Sequence, residues 1–305
     1  MVRVTLLAYS SEGDKLIALA AKRTLSRKEL ELEYFDSEDV NAWIVETLKR
    51  QHFSVWEFSW YVFEVADCSR VCSHQLVRHR IASYAQLSQR YSDHVLRYVA
   101  EYAQSRTGVV CAKKDYRCYA NTIKKLLEKG RDADIVEAAE RGFVLPPTAE
   151  KEIRVAVAKQ CLAATAEFYE LLSKGVRAED ARYALPQAVK TRILVAMNAR
   201  ELMHFLGLRM CSRAQWEIRE VAWLLWKELV KVHPKLFRWA GPRCVQVENL
   251  TRVDPRPLEE FLEGGASFTI ARCPEGVPRQ GIAQCLRSAA SVLWNSSTET
   301  PSEAP

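Results

Sequence analysis

Residues 78–92 read RHRIASYAQLSQRYS, and this stretch is more informative than any other in the chain. It opens with three consecutive basic residues, and Ser88 and Arg90 follow further along. A guanidinium binds a phosphate or a carboxylate through two parallel hydrogen bonds, and serine hydroxyls can complete such a cradle. The stretch therefore suits a small polyanionic ligand, although a solvated basic surface would have the same composition.

On either side of this stretch, which is itself predicted to be turn and loop, residue patterns predict strands and helices. Strands are predicted at residues 2–9 and 59–65. Asp36 or Ser37 is expected to cap the second helix. The predicted helices are residues 14–24, 36–49, 69–79, 116–129, 133–141, 148–174, 178–183, 189–209 and 214–232. In the last of these helices Trp216, Trp223 and Trp226 form a stripe, which is interpreted as core or subunit contact.

Composition limits the class of protein. The chain has 305 residues and a formal net charge of +6, which suits an enzyme with anionic ligands and also weak nucleic-acid binding. No apolar run approaches the ~18–20 residues that span a bilayer, and the first ten residues are too short for a secretory signal, so we expect a cytoplasmic protein without membrane contact. The chain lacks both glycine-rich nucleotide-binding motifs, so side chains must hold any nucleotide.

Nine cysteines are present, and none of them forms a Cys-x-x-Cys pair. This spacing argues against a zinc ribbon or a thioredoxin-like site, and no metal is expected. Cys68 and Cys72 are interpreted as buried thiols rather than as a metal pair. Cys111 with Cys118, and Cys273 with Cys285, could each close a short loop, but cytosolic disulfides are unusual outside thermophiles. The sequence leaves these pairings open.

The stretch at 78–92 resembles the signature of the flavin-dependent thymidylate synthases, in which Arg-His-Arg is followed after seven residues by Ser. Three further segments are similar to the motifs of that family, in the same order along the chain. They are HFSVWE at 52–57, SHQLV at 73–77, and NARELMHFLGLR at 198–209 followed by AQWEIR at 214–219. The resemblance covers roughly residues 1–245, which we predict to be the catalytic domain. Residues 246–305 are then an extension of unknown role, with a polar end that is expected to be disordered.

The resemblance implies an α/β protein of the α+β type, with a mixed or antiparallel sheet, long flanking helices and no Rossmann motif. It implies reductive methylation of dUMP to dTMP, with methylenetetrahydrofolate as carbon donor and FAD relaying hydride from NADPH. It also implies a homotetramer with shared active sites, to which Ser54 of one chain and Asn198 of another contribute.

The resemblance also assigns site residues. Arg209 is expected to be catalytic, because a fixed cation would stabilise the uracil ring as it becomes anionic. The expected dUMP ligands are Gln75, Arg78, Gln86, Leu87, Ser88, Gln89, Arg90, Arg182 and Arg209. The expected FAD ligands are Ser54, Arg78, His79, Arg80, Asn198, Arg200 and His204, while His52 would contact FAD or folate. The chain departs from the family pattern at Phe58, Gln86, His204 and Arg213. Whether Ser88 is a nucleophile or a ligand stays open.

Two alternatives compete with the flavoenzyme. The basic patch at 78–90, with its tyrosines, could instead bind nucleic acid, and such a protein would be colourless and bind in a steeply salt-dependent way. A homologue that has lost activity is the third possibility. The joint presence of Arg78, Ser88, Arg90, Arg182 and Arg209 favours the enzyme.

Overall fold

The computed structural model describes residues 2–27, 29–147 and 150–295. Thr148, the predicted start of the long helix, and residues 296–305, where disorder is predicted, lie outside the described residues. Within the described part of the chain, no helix is both long and apolar enough to cross a membrane.

The fold combines one small sheet with many helices. Four strands pair in the order β1–β2–β4–β3, which confirms the predicted α+β class. The strands are β1 (Arg3–Tyr9), β2 (Trp60–Ser69), β3 (Ala82–Gln86) and β4 (Lys190–Asn198). The helices are α1 (Gly13–Arg23), α2 (Ser37–Lys49), α3 (Arg70–Leu76), α4 (His94–Thr107), α5 (Tyr116–Lys129), α6 (Asp132–Gly142), α7 (Lys151–Ser173), α8 (Ala178–Ala181), α9 (Ala199–Arg209), α10 (Trp216–Val232), α11 (Pro234–Phe237), α12 (Arg243–Thr251), α13 (Leu258–Glu263), α14 (Arg279–Ala289) and α15 (Val292–Asn295). Short 3-10 turns occur at Leu32–Tyr34, Phe53–Phe58 and Arg182–Ala184.

The chain divides into two compact units. The first unit contains Ala66–His74 and Ala85–Ile193, and its core is formed by helices α4 to α7. Small residues such as Ala138 let these helices approach closely, and larger side chains such as Tyr169 fill the remaining space. A disulfide joins Cys111 to Cys118 in this unit. This is one of the two pairings that the sequence left open.

The second unit contains Val2–Val65, Gln75–Tyr84 and the described residues from Leu194 onward. Trp223 and Trp226 of α10 are buried in it with their rings 5.8 Å apart, so these two members of the tryptophan stripe are core. Each indole N–H donates to a backbone carbonyl, which satisfies the polar atom of a buried ring.

The predicted helix at 189–209 is wrong in its first half. Lys190–Asn198 is strand β4, in which Thr191, Ile193, Val195 and Met197 are buried while intervening residues are more exposed. This alternation has the period of a strand, and three of the four buried residues are β-branched. Because apolar residues continue through the whole segment, the sequence does not show where the burial period of a strand changes to that of a helix, at Asn198.

The prediction that residues 78–92 are all turn and loop also needs correction. Residues Ala82–Gln86 form β3 at an edge of the sheet, next to β4. The segment is short and lacks β-branched residues, so pairing with its neighbour, rather than intrinsic propensity, determines its conformation.

Helix α4 and the helices after residue 242 were not predicted. Asp36 caps α2 as expected, because its Oδ1 accepts from the backbone N–H groups of Glu38 and Asp39, at 2.8 Å each.

Candidate active site

A buried histidine, His79, lies at the centre of the candidate site in the second unit. The turn that holds it follows α3 and precedes β3. The hydroxyl of Tyr84 donates to the backbone carbonyls of Leu76 and His79, at 2.9 and 2.7 Å. Burial raises the pKa of Tyr84 well above its usual value, so the phenol stays a donor. Tyr84 thus holds the backbone just before the Arg-His-Arg segment and within it.

His79 connects a carboxylate to a guanidinium. Its Nδ1 lies 3.0 Å from Glu201 Oε1, and its Nε2 accepts a hydrogen bond of 3.1 Å from Arg209 Nε. Because the guanidinium can only donate, Nε2 must carry the lone pair and Nδ1 the proton. Burial, and then the charge of Arg209, lower the pKa of His79 to about 4. The imidazole is therefore neutral at neutral pH. Its two hydrogen bonds hold the ring between the Glu201 carboxylate and the Arg209 guanidinium, so Glu201 helps to orient Arg209.

Helix α9 places the residues of this chain of hydrogen bonds. Asn198 is the last residue of β4 and the N-cap of α9, and its Oδ1 accepts from the N–H of Glu201 at 2.9 Å. Glu201 is nearly buried, and burial raises the pKa of its carboxyl group. Arg209 is the last residue of α9, where a cation also interacts favourably with the helix dipole.

Exposed basic side chains surround the buried histidine. Arg78, Arg80 and His204 are exposed, and the His204 ring lies 5.7 Å from the His79 ring. Within the described ranges, neither Arg78 nor Arg80 has an ion-pair partner, so both can reach an anionic ligand. Arg200 forms an exposed ion pair of 2.5 Å with Glu57.

The segment at 52–57 is placed by a 3-10 turn in the same unit. His52 precedes the turn and is half-buried, while Ser54 and Phe58 are exposed. Another expected ligand, Gln75, lies in the last turn of α3, and its Nε2 donates to Oε1 of Gln215, the N-cap of α10, at 3.4 Å. Arg213, a departure from the family pattern, is exposed in the turn before α10.

A second group of expected ligands lies in the first unit, around Arg70. The Arg70 guanidinium donates to Gln86 Oε1 at 3.1 Å and to the carbonyl of Leu87 at 3.0 Å. The Gln86 amide donates in turn to Ser73 and Thr191, at 2.9 and 3.2 Å. Arg70 is half-buried, and its Nε has no hydrogen-bond partner among the described residues. Burial, and then the charge of Arg182, lower the pKa of Arg70.

The remaining residues of this group are less constrained. The Ser88 hydroxyl accepts from the backbone N–H of Arg90 at 3.2 Å, and Gln89 between them is half-buried. The Arg90 guanidinium is exposed and lies 5.0 Å from the centroid of the Tyr91 ring. Arg182 is half-buried, and its Nε donates to the carbonyl of Glu179. An anion near Arg182 and Arg70 would relieve the repulsion between their charges.

Two residues that the sequence did not single out are central to these groups. Glu201 lies inside a segment that resembles the family, but a glutamate in an apolar helix gives no sign of its partner 122 residues away. Arg70 precedes the Arg-His-Arg motif by eight residues and carries no motif of its own. A search for charged residues on predicted buried faces would have found Glu201.

His79 and Glu201 also belong to a candidate cation site, which is empty. With His204 they are the one group in the described ranges whose three ligand atoms all lie within 4.8 Å of one another. Both nitrogens of His79 are already hydrogen-bonded. For this group of residues, the expectation of no metal stays a prediction.

Comparison with known proteins gives a consistent result. The family model described as thymidylate synthase complementing protein matches residues 5–235. A flavin-dependent thymidylate synthase of Aeropyrum pernix is 48% identical over 305 residues, covering 95% of this chain and 94% of the relative. The Sulfolobus acidocaldarius enzyme of that name is 38% identical over 294 residues, covering 96% of each chain.

The fold has a counterpart among solved structures. A flavin-dependent thymidylate synthase from Helicobacter pylori, crystallised with FAD and dUMP, superposes with a TM-score of 0.56 at 23% identity. The match covers 78% of this chain and 99% of that one. At this identity the likeness concerns the fold.

Proposed function

The chain belongs to the family of flavin-dependent thymidylate synthases, and from that premise we propose that it methylates dUMP with methylenetetrahydrofolate as carbon donor and with FAD relaying hydride from NADPH. Overall, dUMP, methylenetetrahydrofolate, NADPH and a proton give dTMP, tetrahydrofolate and NADP⁺. The observation that carries the proposal is the chain of hydrogen bonds from Glu201 through His79 to Arg209.

The side chains of the second unit fit a flavin nucleotide. Arg78 and Arg80 offer two exposed guanidinium groups to a pyrophosphate, and Ser54, Arg200 and His204 offer further polar contacts. The chemistry that FAD supplies when bound is hydride transfer between NADPH and the carbon unit. The protein's task is to hold the ligands in place and exclude water. His52 is proposed to contact FAD or folate.

Arg209 is proposed to stabilise the uracil ring as it gains anionic character. Such stabilisation requires a cation in a fixed direction before the reaction begins. The hydrogen bond to His79 supplies this direction, and Glu201 supports it by fixing the tautomer of the imidazole. Glu201 and His79 thus act as positioning residues for Arg209.

The first unit is proposed to bind the phosphate and sugar of dUMP. Ser88, Arg90 and Arg182 provide a hydroxyl and two guanidinium groups of the kind that phosphate oxygens accept from. Arg70 supports the backbone at Leu87 and the Gln86 side chain. The neutral Gln86 stands where the family commonly has a glutamate, so no carboxylate at that position opposes an anionic ligand. Leu87 and Gln89 complete the set in the first unit, and Gln75 and Arg78 of the second unit are also proposed as dUMP ligands.

Assembly is the remaining part of the proposal. We propose a homotetramer in which Ser54 of one chain and Asn198 of another contribute to one flavin site. Light scattering of the flavin-loaded protein would measure the mass. A monomer mass with flavin still bound would contradict a shared site.

The test of function begins with colour. Purified protein, or protein given FAD, should show a flavin absorption spectrum, which a nucleic-acid-binding protein would lack. Release of tritium from position 5 of labelled dUMP, dependent on methylenetetrahydrofolate and NADPH, should follow. A colourless protein that binds polynucleotide in a steeply salt-dependent way would replace this proposal with the nucleic-acid alternative. A flavin-loaded protein without tritium release would indicate an inactive homologue.

A further inference from the structure

Four thiols line one cavity in the second unit. Cys211 follows α9, Cys244 lies in α12, Cys273 precedes α14 and Cys285 lies within α14. The cavity has a volume of about 250 Å³, several times the ~30 Å³ that a water molecule occupies in the liquid. All four cysteines are free. The chain thus brings four cysteines from distant segments to the wall of one cavity.

Two of these sulfurs, those of Cys273 and Cys285, have a hydrogen-bonding neighbour. The Val277 N–H donates to Cys273 Sγ at 3.3 Å, and Ser212 Oγ lies 3.0 Å from Cys285 Sγ. Such donors stabilise negative charge on a sulfur, and hydrogen bonds to ligating thiolates tune metal and iron–sulfur centres.

The spacing of the sulfurs distinguishes between possible occupants. A tetrahedral zinc site with Zn–S bonds of about 2.3 Å brings its sulfurs within about 3.8 Å of each other. In the described ranges only the His79 group has three ligand atoms all within 4.8 Å, so no three of these sulfurs are that close. The four cysteines line a cavity instead of converging on a single ion, which favours a larger inorganic core.

Charge on the cavity wall also favours an anionic complex. Three arginines, Arg209, Arg213 and Arg243, line the cavity against one acidic residue, Glu275.

We propose that Cys211, Cys244, Cys273 and Cys285 bind a four-iron, four-sulfide cluster. On binding, each thiol loses one proton and forms one Fe–S bond, and no electron is transferred. Four cysteine thiolates are the usual ligand set of such clusters. Cys211 lies inside the part of the chain that matches the family model, and the other three lie beyond residue 235. The cluster would therefore anchor the C-terminal extension to the end of α9.

The primary test uses the full-length wild-type protein. It is purified without oxygen, reconstituted with sulfide and equal parts of ferrous and ferric iron, which together have the oxidation level of the resting cluster, and desalted. We expect about four iron atoms and about four sulfide ions per chain, and a low-temperature electron paramagnetic resonance signal after dithionite reduction. Less than one bound iron per chain after reconstitution, one tightly bound zinc instead, or two disulfides among the four cysteines would each overturn the proposal.

A pair of variants tests the ligand assignment. In Cys273→Ala/Cys285→Ala, bound iron should fall by about tenfold or more, because two of four ligands are gone. Cys161→Ala removes a buried thiol from the core of the first unit and should keep the wild-type iron content. Circular dichroism checks that both variants are folded. Retention of the full cluster by the double variant would overturn the assignment, and the wild-type measurement stands even if a variant fails to fold.

Discussion

Arg209 is the residue whose replacement tests the proposed active site most directly. The change Arg209→Ala removes the guanidinium and its hydrogen bond to His79 Nε2. Loss of one preorganised donor to a developing anion costs about 2.7–4 kcal/mol of barrier, which is roughly a 10²- to 10³-fold loss in kcat. The imidazole also loses its buried partner, at a cost of about 1–3 kcal/mol in the free energy of unfolding.

The conservative variant Arg209→Lys separates charge from geometry. A lysine restores a cation but lacks both the planar fork and the Nε–H that His79 accepts. We therefore expect Arg209→Lys to recover little of the lost turnover. Arg90→Ala is the contrasting variant, because the phosphate contact proposed for its exposed guanidinium would act equally in ground and transition states. Loss of a charged hydrogen bond of about 1.5–3 kcal/mol should raise the KM for dUMP roughly 10- to 100-fold and leave kcat nearly unchanged.

The assay is turnover at saturating dUMP, measured by tritium release, together with anaerobic reduction of the flavin by NADPH. Arg209→Ala should bind FAD and accept hydride nearly normally while failing in methyl transfer. If Arg209→Ala recovers near-normal turnover at saturating dUMP, Arg209 is only a binding residue and the assignment is wrong. If flavin reduction fails as well, the variant has damaged the flavin site rather than the methylation step.

Three further changes have defined outcomes. Ser88→Ala should weaken dUMP binding by about 0.5–1.5 kcal/mol in a calorimetric titration and preserve turnover; complete loss of turnover at normal affinity would instead identify a nucleophile. His79 has an ordinary pKa of 6.5 and a folded-state pKa of about 4, so between these values the unfolded chain takes up a proton that the folded chain does not. Stability in urea should therefore fall by up to about 3 kcal/mol as the pH drops through this window, and a His79→Gln variant with the same pH dependence would refute the assignment. Cys118→Ser opens a disulfide between cysteines seven residues apart and should cost about 2.5 kcal/mol of unfolding free energy; an equal cost in strong reductant would show that the bond is not the cause.

The fold was predicted best where local signals agreed. Helix α5 has the predicted bounds because its apolar face is regular, and Asp115 caps it by accepting from the N–H of Cys118. Strand β4 was missed because its alternation of buried and more exposed residues is short, and because the strand leads directly into an apolar helix. Strand β3 was missed because its conformation depends on a neighbouring strand more than 100 residues away in sequence.

The candidate site shows a similar division between local and distant information. The motifs located His79 and Arg209, because both lie in segments that resemble a known family. The link between them was not predictable, because it depends on folding that brings residues 130 positions apart within hydrogen-bond distance. The four cavity cysteines gave no metal signature for the same reason. Their spacing over residues 211–285 matches none of the short motifs by which metal sites are recognised in a sequence.

The direct passage from β4 into α9 has a consequence for molecular evolution. Asn198 ends the strand and caps the helix, so no loop separates the two elements and nothing can absorb a change in length. One residue inserted between Glu201 and Arg209 would rotate the guanidinium by about 100° around the helix axis, away from His79. Substitutions on the outward face of α9 should be tolerated, whereas insertions and deletions should not. Alignments of active relatives should therefore be free of gaps from residue 198 to residue 209, even where the side chains differ.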